Sequence, residues 1–183
     1  MEQTDALTGL PGRVALDKEL AQYFDTREPF AIALLDVDGF QEINDTLGFA
    51  EGDGALRRLG ALLTDANAGL VHRISGDEFA LVMPQVTLEQ AFLAAENLRT
   101  LVAGSDFALA DGRSVKITAG VAHSPRDAKE AQALLNAAER GDGAKIVLLS
   151  VGRPARTENV GRALKAARVV FTPRGAHRLP AKA

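Results

Sequence analysis

The carboxylates at the ends of apolar runs are the residues in this sequence best placed to do chemistry. Asp36-Val37-Asp38 closes the run Phe30 to Val37, and Asp77-Glu78 lies in the break Ser75-Gly76-Asp77-Glu78 between two further apolar runs. If those runs are neighbouring strands, four carboxylates crowd into one corner. Like charges that close are costly unless a cation compensates them. Each half also has a plain reading, Asp38-Gly39 as a turn and Asp77-Glu78 as a solvated hairpin tip. The two together, at a metal-competent spacing, favour a magnesium site. Elimination agrees: the chain has no cysteine, and three histidines (His72, His123, His177) make no imidazole cage. A catalytic metal must then be held by carboxylates, which selects a hard ion, Mg2+ with Mn2+ as the alternative.

Between the two acidic pairs lies Ile43-Asn44-Asp45-Thr46-Leu47-Gly48-Phe49-Ala50-Glu51-Gly52-Asp53. The amide of Asn44 and the carboxylate of Asp53 are groups that can read a guanine edge through its N–H donors and its carbonyl. Asn44 can equally be a turn former, and Asp53 a helix N-cap. No Walker-type glycine loop ending in Lys-Ser/Thr is present, so a phosphate cradle falls to the backbone N–H groups of Asp38, Gly39 and Phe40.

The elements that must position these groups follow from periodicity. A turn at Thr8–Gly12 precedes a helix marked by Leu16, Leu20 and Phe24. Phe30–Val37 reads as a buried strand, followed by a polar loop and then a helix marked by Leu56, Leu59 and Leu63. Leu70–Ile74 and Phe79–Met83 form a hairpin around the Gly-Asp break. Thr87 and Gln90 make a capping box for a helix striped by Leu88, Ala91, Ala95, Leu98 and Val102. A hairpin through Asp111-Gly112 joins a short strand near Phe107 to Val115–Ala122; a helix over 129–140 and a strand at Ile146–Val151 complete the body. This order describes an α+β sandwich with a mainly antiparallel sheet.

Three segments carry a family resemblance. DALTGLPGR (5–13), DVDGFQEINDTLGFAEGD (36–53) and RISGDEF (73–79) resemble, in order and spacing, the GGDEF domain of diguanylate cyclases. The signature reads SGDEF, a first-position variant, and the resemblance runs from about Asp5 to Arg140. It implies a nucleotidyl-cyclase-like fold, a central five-stranded, mainly antiparallel sheet flanked by helices. It also implies synthesis of cyclic di-GMP from two GTP. Carried over, the metal ligands fall on Asp36, the Val37 carbonyl and Asp77, and the guanine readers on Asn44 and Asp53. Asp77 and Glu78 help deprotonate the attacking 3′-hydroxyl, while Gly39 and Phe40 approach the phosphates. One domain holds one GTP, so a homodimer is implied. A sensory region that controls the domain is expected before the first motif.

The sequence departs from that pattern at several positions. Gln41 stands at a usual lysine beside the transferring phosphate, and Phe49 at a usual histidine. The family closes on an alanine-rich helix with a lysine and, four residues on, an arginine. Here Gly141-Asp142-Gly143 follows Ala137-Ala138-Glu139-Arg140, leaving Lys145 as a candidate lysine with Leu149 four residues later; Gly161–Arg168 reads like a displaced copy. Ala66 and Gly69 replace the Arg-x-x-Asp of product inhibition. A degenerate domain that binds GTP or a partner without turnover is therefore the alternative to an active cyclase, with another nucleotide activity on the same fold behind both.

Composition sets the remaining bounds. At 183 residues, 46% hydrophobic and 25% charged, the chain is one globular domain with an appended tail, read as 1–152 and 153–183. The tail holds eight Lys/Arg against Glu158, so its +7 leaves the body at −10 within a net −3. An acidic body does not look like a duplex-DNA binder. The basic tail reads first as a solvated terminus, with contact to nucleic acid, lipid headgroups or the body, or a place in an altered terminal helix and strand, as the alternatives. No apolar run reaches the ~18 residues of a membrane span. The polar start is no signal peptide, and the absence of cysteine fits a cytoplasmic location.

Overall fold

A computed structural model describes residues 4–104, 108–140, 144–146, 169–172 and 175–178. The run FAIALLDV forms β1 (Phe30–Val37), the middle strand of a five-stranded antiparallel sheet. Its neighbours are β3 (Glu78–Pro84) and β4 (Ile117–Ser124); β2 (Leu70–Ser75) and the three-residue β5 (Ala144–Ile146) form the edges. Four strands are therefore full-length and the fifth is a stub. β1 lacks polar alternation because both its faces are covered. Ala31, Ala33, Leu35 and Val37 pack in a cluster with α3 (Phe49–Asp65) and α4 (Leu88–Gly104) through Leu56, Leu59, Leu63 and Leu98. Phe30 and Ile32 face the opposite layer, with Leu16 and Leu20 of α1 (Arg13–Thr26) and Leu134 and Leu135 of α5 (Ala131–Arg140).

Local chemistry explains the element ends. The capping box opens α4: the Thr87 amide donates to Gln90 Oε1 at 2.9 Å and the Gln90 amide to Thr87 Oγ1 at 3.2 Å. All five residues of the expected stripe are buried. The turn at 8–12 closes through Gly9 at φ +74°, whose amide donates to the Asp5 carbonyl.

The structure corrects three expectations. The polar loop after β1 contains a helix, α2 (Phe40–Leu47), whose single fully buried residue is Ile43. Eight mostly polar residues give too short a period to announce a helix. α3 then begins at Phe49 after Gly48, whose φ of +87° breaks the chain direction between the two helices. Asp53 accordingly lies inside α3, and the N-cap is Gly48. The Asp111-Gly112 turn is closed by a single bridge, Ala108 to Ser114, in place of a paired strand; Phe107 itself lies outside the described residues. Residues 141–143, 147–168 and most of the basic tail also lie outside them, including the displaced helix copy at 161–168. Within the tail, β6 (Val169–Thr172) pairs antiparallel with β7 (Gly175–Arg178). Among the described residues no helix is long and apolar enough to cross a membrane.

Candidate active site

The ends of β1 and β3 bring the acidic residues together. Asp36 stands opposite Glu78 of β3 on one side and Thr118 of β4 on the other. The Val37 amide donates to the Asp77 carbonyl at 3.3 Å, which fixes the signature turn against the end of β1. Glu78 Oε2 accepts a hydrogen bond from the Ser75 hydroxyl, so the first residue of the SGDEF signature orients its fourth. Asp38 is held to the side: its Oδ1 accepts from Thr118 Oγ1 at 2.7 Å, and its amide donates to the Lys116 carbonyl at 3.0 Å.

The electrostatics record the crowding. The Asp36 carboxyl keeps solvent contact, yet partial desolvation raises its pKa above the ordinary carboxylate value, and the charges of Asp77, Glu78 and Asp38 push in the same direction. A divalent cation would relieve that repulsion, so the donor set fits a hard ion. Among the described residues no three Asp, Glu or His side chains converge into a ready-made metal cage. An ion here must take further oxygens from backbone carbonyls and phosphate. Beside the corner opens a cleft of about 260 Å³ whose lining includes Asp36, Glu78, Thr118, Gly120, Ala138 and Glu139. The α5 face of that cleft presents the Ala138 methyl group and the Glu139 acid, neither of them a cation. Lys145 is placed as the register partner of Gly120 in β5.

The second constellation sits on α2 and α3. A Cβ at Gly52 would fall 1.9 Å from Asn44 Oδ1 and 3.3 Å from the Phe40 ring, so this glycine is what lets the Asn44 amide lie between the helices. Asn44 Oδ1 is enclosed and has no hydrogen-bond partner. A buried acceptor without a donor is an unpaid interaction in the free protein, and a donor on a ligand edge would satisfy it. Asp53, half-buried, follows Gly52 on the same helix. The phosphate cradle is narrower than the sequence suggests, because the Asp38 amide is already taken by Lys116. Gly39, at φ +68°, caps α2, and the first amides of that helix, Phe40 and Gln41, have no partner one turn back. The Gln41 side chain is exposed.

One connection carried no role in the sequence reading. Arg73 Nη1 donates to both carboxylate oxygens of Asp5 at 2.9 Å, while its Nε and Nη2 donate to the Gly76 carbonyl at 3.1 and 2.6 Å. Asp5 Oδ2 also accepts from the Thr8 amide and hydroxyl at 2.7 and 2.6 Å. Burial alone would raise the Asp5 pKa, but the hydrogen bonds from Thr8 and Arg73 outweigh it and hold the carboxyl below its usual value. A single guanidinium thereby ties the N-terminal turn to the signature turn. Both residues stood inside the quoted motifs; only the long-range pairing was invisible.

Comparison with known proteins decides the family. The family model described as "Diguanylate cyclase, GGDEF domain" matches residues 2–141. The chain belongs to this family. Response regulator PleD of Caulobacter vibrioides is 35% identical over 148 residues, covering 75% of this chain and 32% of PleD. The chain thus spans about a third of the length of that curated relative. Among solved structures, the GGDEF domain of YfiN (TpbB) from Pseudomonas aeruginosa is 33% identical with a TM-score of 0.66, covering 76% of this chain and 86% of that one. The diguanylate cyclase SiaD, also from Pseudomonas aeruginosa and solved with its activator SiaC, is 29% identical with a TM-score of 0.69, covering 76% and 57%.

Ala66, half-buried after α3, and Gly69 stand where the resemblance puts the product-inhibition motif. A Cβ at Gly69 would fall 2.5 Å from the Val82 carbonyl oxygen, so an aspartate does not fit there without moving β3.

Proposed function

We propose that this GGDEF domain is a diguanylate cyclase that condenses two GTP into cyclic di-GMP across a homodimer. The observation that supports it most strongly is the acidic corner, where Asp36 stands opposite Glu78, the Val37 amide holds the Asp77 carbonyl, and partial desolvation followed by the neighbouring Asp77, Glu78 and Asp38 charges raises the Asp36 pKa. In this reading Asp36, Asp77 and the Val37 carbonyl hold a divalent ion, Mg2+ or Mn2+. That ion would neutralise phosphate charge and lower the pKa of the 3′-hydroxyl. Asn44 and Asp53 select guanine by accepting from its N–H groups, and the amides of Gly39 and Phe40 with Gln41 approach the phosphates. Glu78, oriented by Ser75, accepts the proton of the 3′-hydroxyl. The 3′-oxygen then bonds to the α-phosphorus of the partner's GTP, the bond to the β-phosphate oxygen breaks, and pyrophosphate leaves; a second such step closes the ring. The catalytic unit is 1–152, with the basic 153–183 as an appended tail, and a sensory region outside this chain brings two units together in the cytoplasm.

A second reading, GTP binding without turnover, has its own support. Gln41 replaces a cation, and the α5 residues that line the cleft, Ala138 and Glu139, add none. Incubating the purified chain with GTP and magnesium separates them. Cyclic di-GMP in the reaction supports the first; saturable GTP binding with no product selects the second.

A further inference from the structure

We infer that Phe49 is the stacking platform for the purine base whose edge Asn44 and Asp53 read. The inference rests on the guanine-nucleotide reading above, which supplies donors and acceptors for the base edge and nothing for its faces. Phe49 is 77% exposed, well above the other large apolar side chains exposed among the described residues, Val14 at 47%, Leu101 at 46% and Leu70 at 41%. A lone exposed aromatic is ordinary on a protein surface, so its position decides the matter. Phe49 opens α3 directly after the positive-φ Gly48. Helical spacing then sets residues 49, 52 and 53 along one face. Gly52 is the point where the Asn44 amide lies, and Asn44 Oδ1 is enclosed without a partner.

An unsatisfied polar group and an uncovered ring therefore share one end of the α2–α3 pair. A planar base with N–H groups on its edge and π-faces above and below answers both at once. The resemblance puts a histidine at this position, so the phenylalanine is a choice of this chain. A phenyl ring stacks without charge and without a hydrogen bond, which leaves base selection to Asn44 and Asp53. Removing a base–aromatic stack by alanine substitution weakens binding by roughly 5-fold or more.

Titration calorimetry of the full chain with GDP and with inosine diphosphate, in magnesium, tests the assignment without turnover. Inosine diphosphate keeps the ring faces and loses the exocyclic amine. Phe49→Ala is expected to weaken both ligands by the same factor of about 5 or more, with an unchanged melting temperature because the ring is exposed. Phe49→Tyr should stay within about 2-fold of the parent, since the stacking face is kept. Asp53→Ala should instead weaken GDP more than inosine diphosphate. Unchanged binding by Phe49→Ala overturns the inference, and if self-association in sedimentation is lost at the same time, the ring belongs to the contact with a second copy. A loss confined to GDP also overturns it, because the ring would then act only through the edge readers. A folded parent chain that binds neither nucleotide overturns the guanine reading and this inference together.

Discussion

At the scale of single residues, Asp36 carries the account. Its pKa is raised, so without metal the ionised carboxylate opposes folding. The folded state binds more protons than the unfolded chain between the ordinary carboxylate pKa and the raised one, and metal-free stability therefore falls as pH rises through that window. Asp36→Asn removes the repulsion: in EDTA at neutral pH it should melt higher than the parent, by calorimetry. Added Mg2+ should raise the parent's melting temperature and leave the variant's nearly unmoved. Turnover of the variant should drop by at least ~100-fold. A variant that melts lower than the parent in EDTA contradicts the crowded corner. That the ends of β1 and β3 meet, with Asp36 opposite Glu78, was legible in the sequence because apolar runs mark both strands and the acids close them. The Asp5–Arg73 pair was not, since 68 residues separate its members and only the fold joins them.

At the scale of elements, two glycines set how the layers meet. A Cβ at Gly52 collides with the Asn44 side chain, which can move. Gly52→Ala should keep the fold while displacing the amide, and the preference for GTP over ATP should shrink in competition binding. A Cβ at Gly120 meets the Ala138 carbonyl oxygen at 2.0 Å, and that backbone cannot swing aside. Gly120→Ala should push α5 off the sheet and destabilise the domain by ~1–3 kcal/mol in urea unfolding. The Arg73 tie acts between elements as well. Arg73→Ala frees the signature turn from the N-terminal turn, with an expected loss of ~1.5–3 kcal/mol at neutral pH. The part that depends on Asp5 is present above the unfolded carboxylate pKa and vanishes as pH falls through its lowered folded value. The long apolar run announced β1 and the capping box the start of α4, while the leucine stripe announced α3 but not its first turn, which begins at Phe49. The short α2 stayed hidden because one buried isoleucine does not make a periodic signal.

At the scale of the whole molecule, two consequences follow from the proposed reaction between two GTP-loaded domains and from Ala66 and Gly69. Rate per chain should rise with protein concentration at fixed GTP, since two half-sites must meet; a rate per chain independent of concentration argues for a preformed dimer or a different reaction. Micromolar cyclic di-GMP should leave the rate unchanged, because the Gly69 backbone is packed against β3 where an acidic side chain would be needed. The central claim is most directly tested by the products of GTP turnover in magnesium, identified by mass spectrometry and counted. The account predicts two pyrophosphates released per cyclic di-GMP formed, and neither product from Asp77→Asn. GDP with inorganic phosphate, or intact GTP at concentrations that saturate binding, would contradict it.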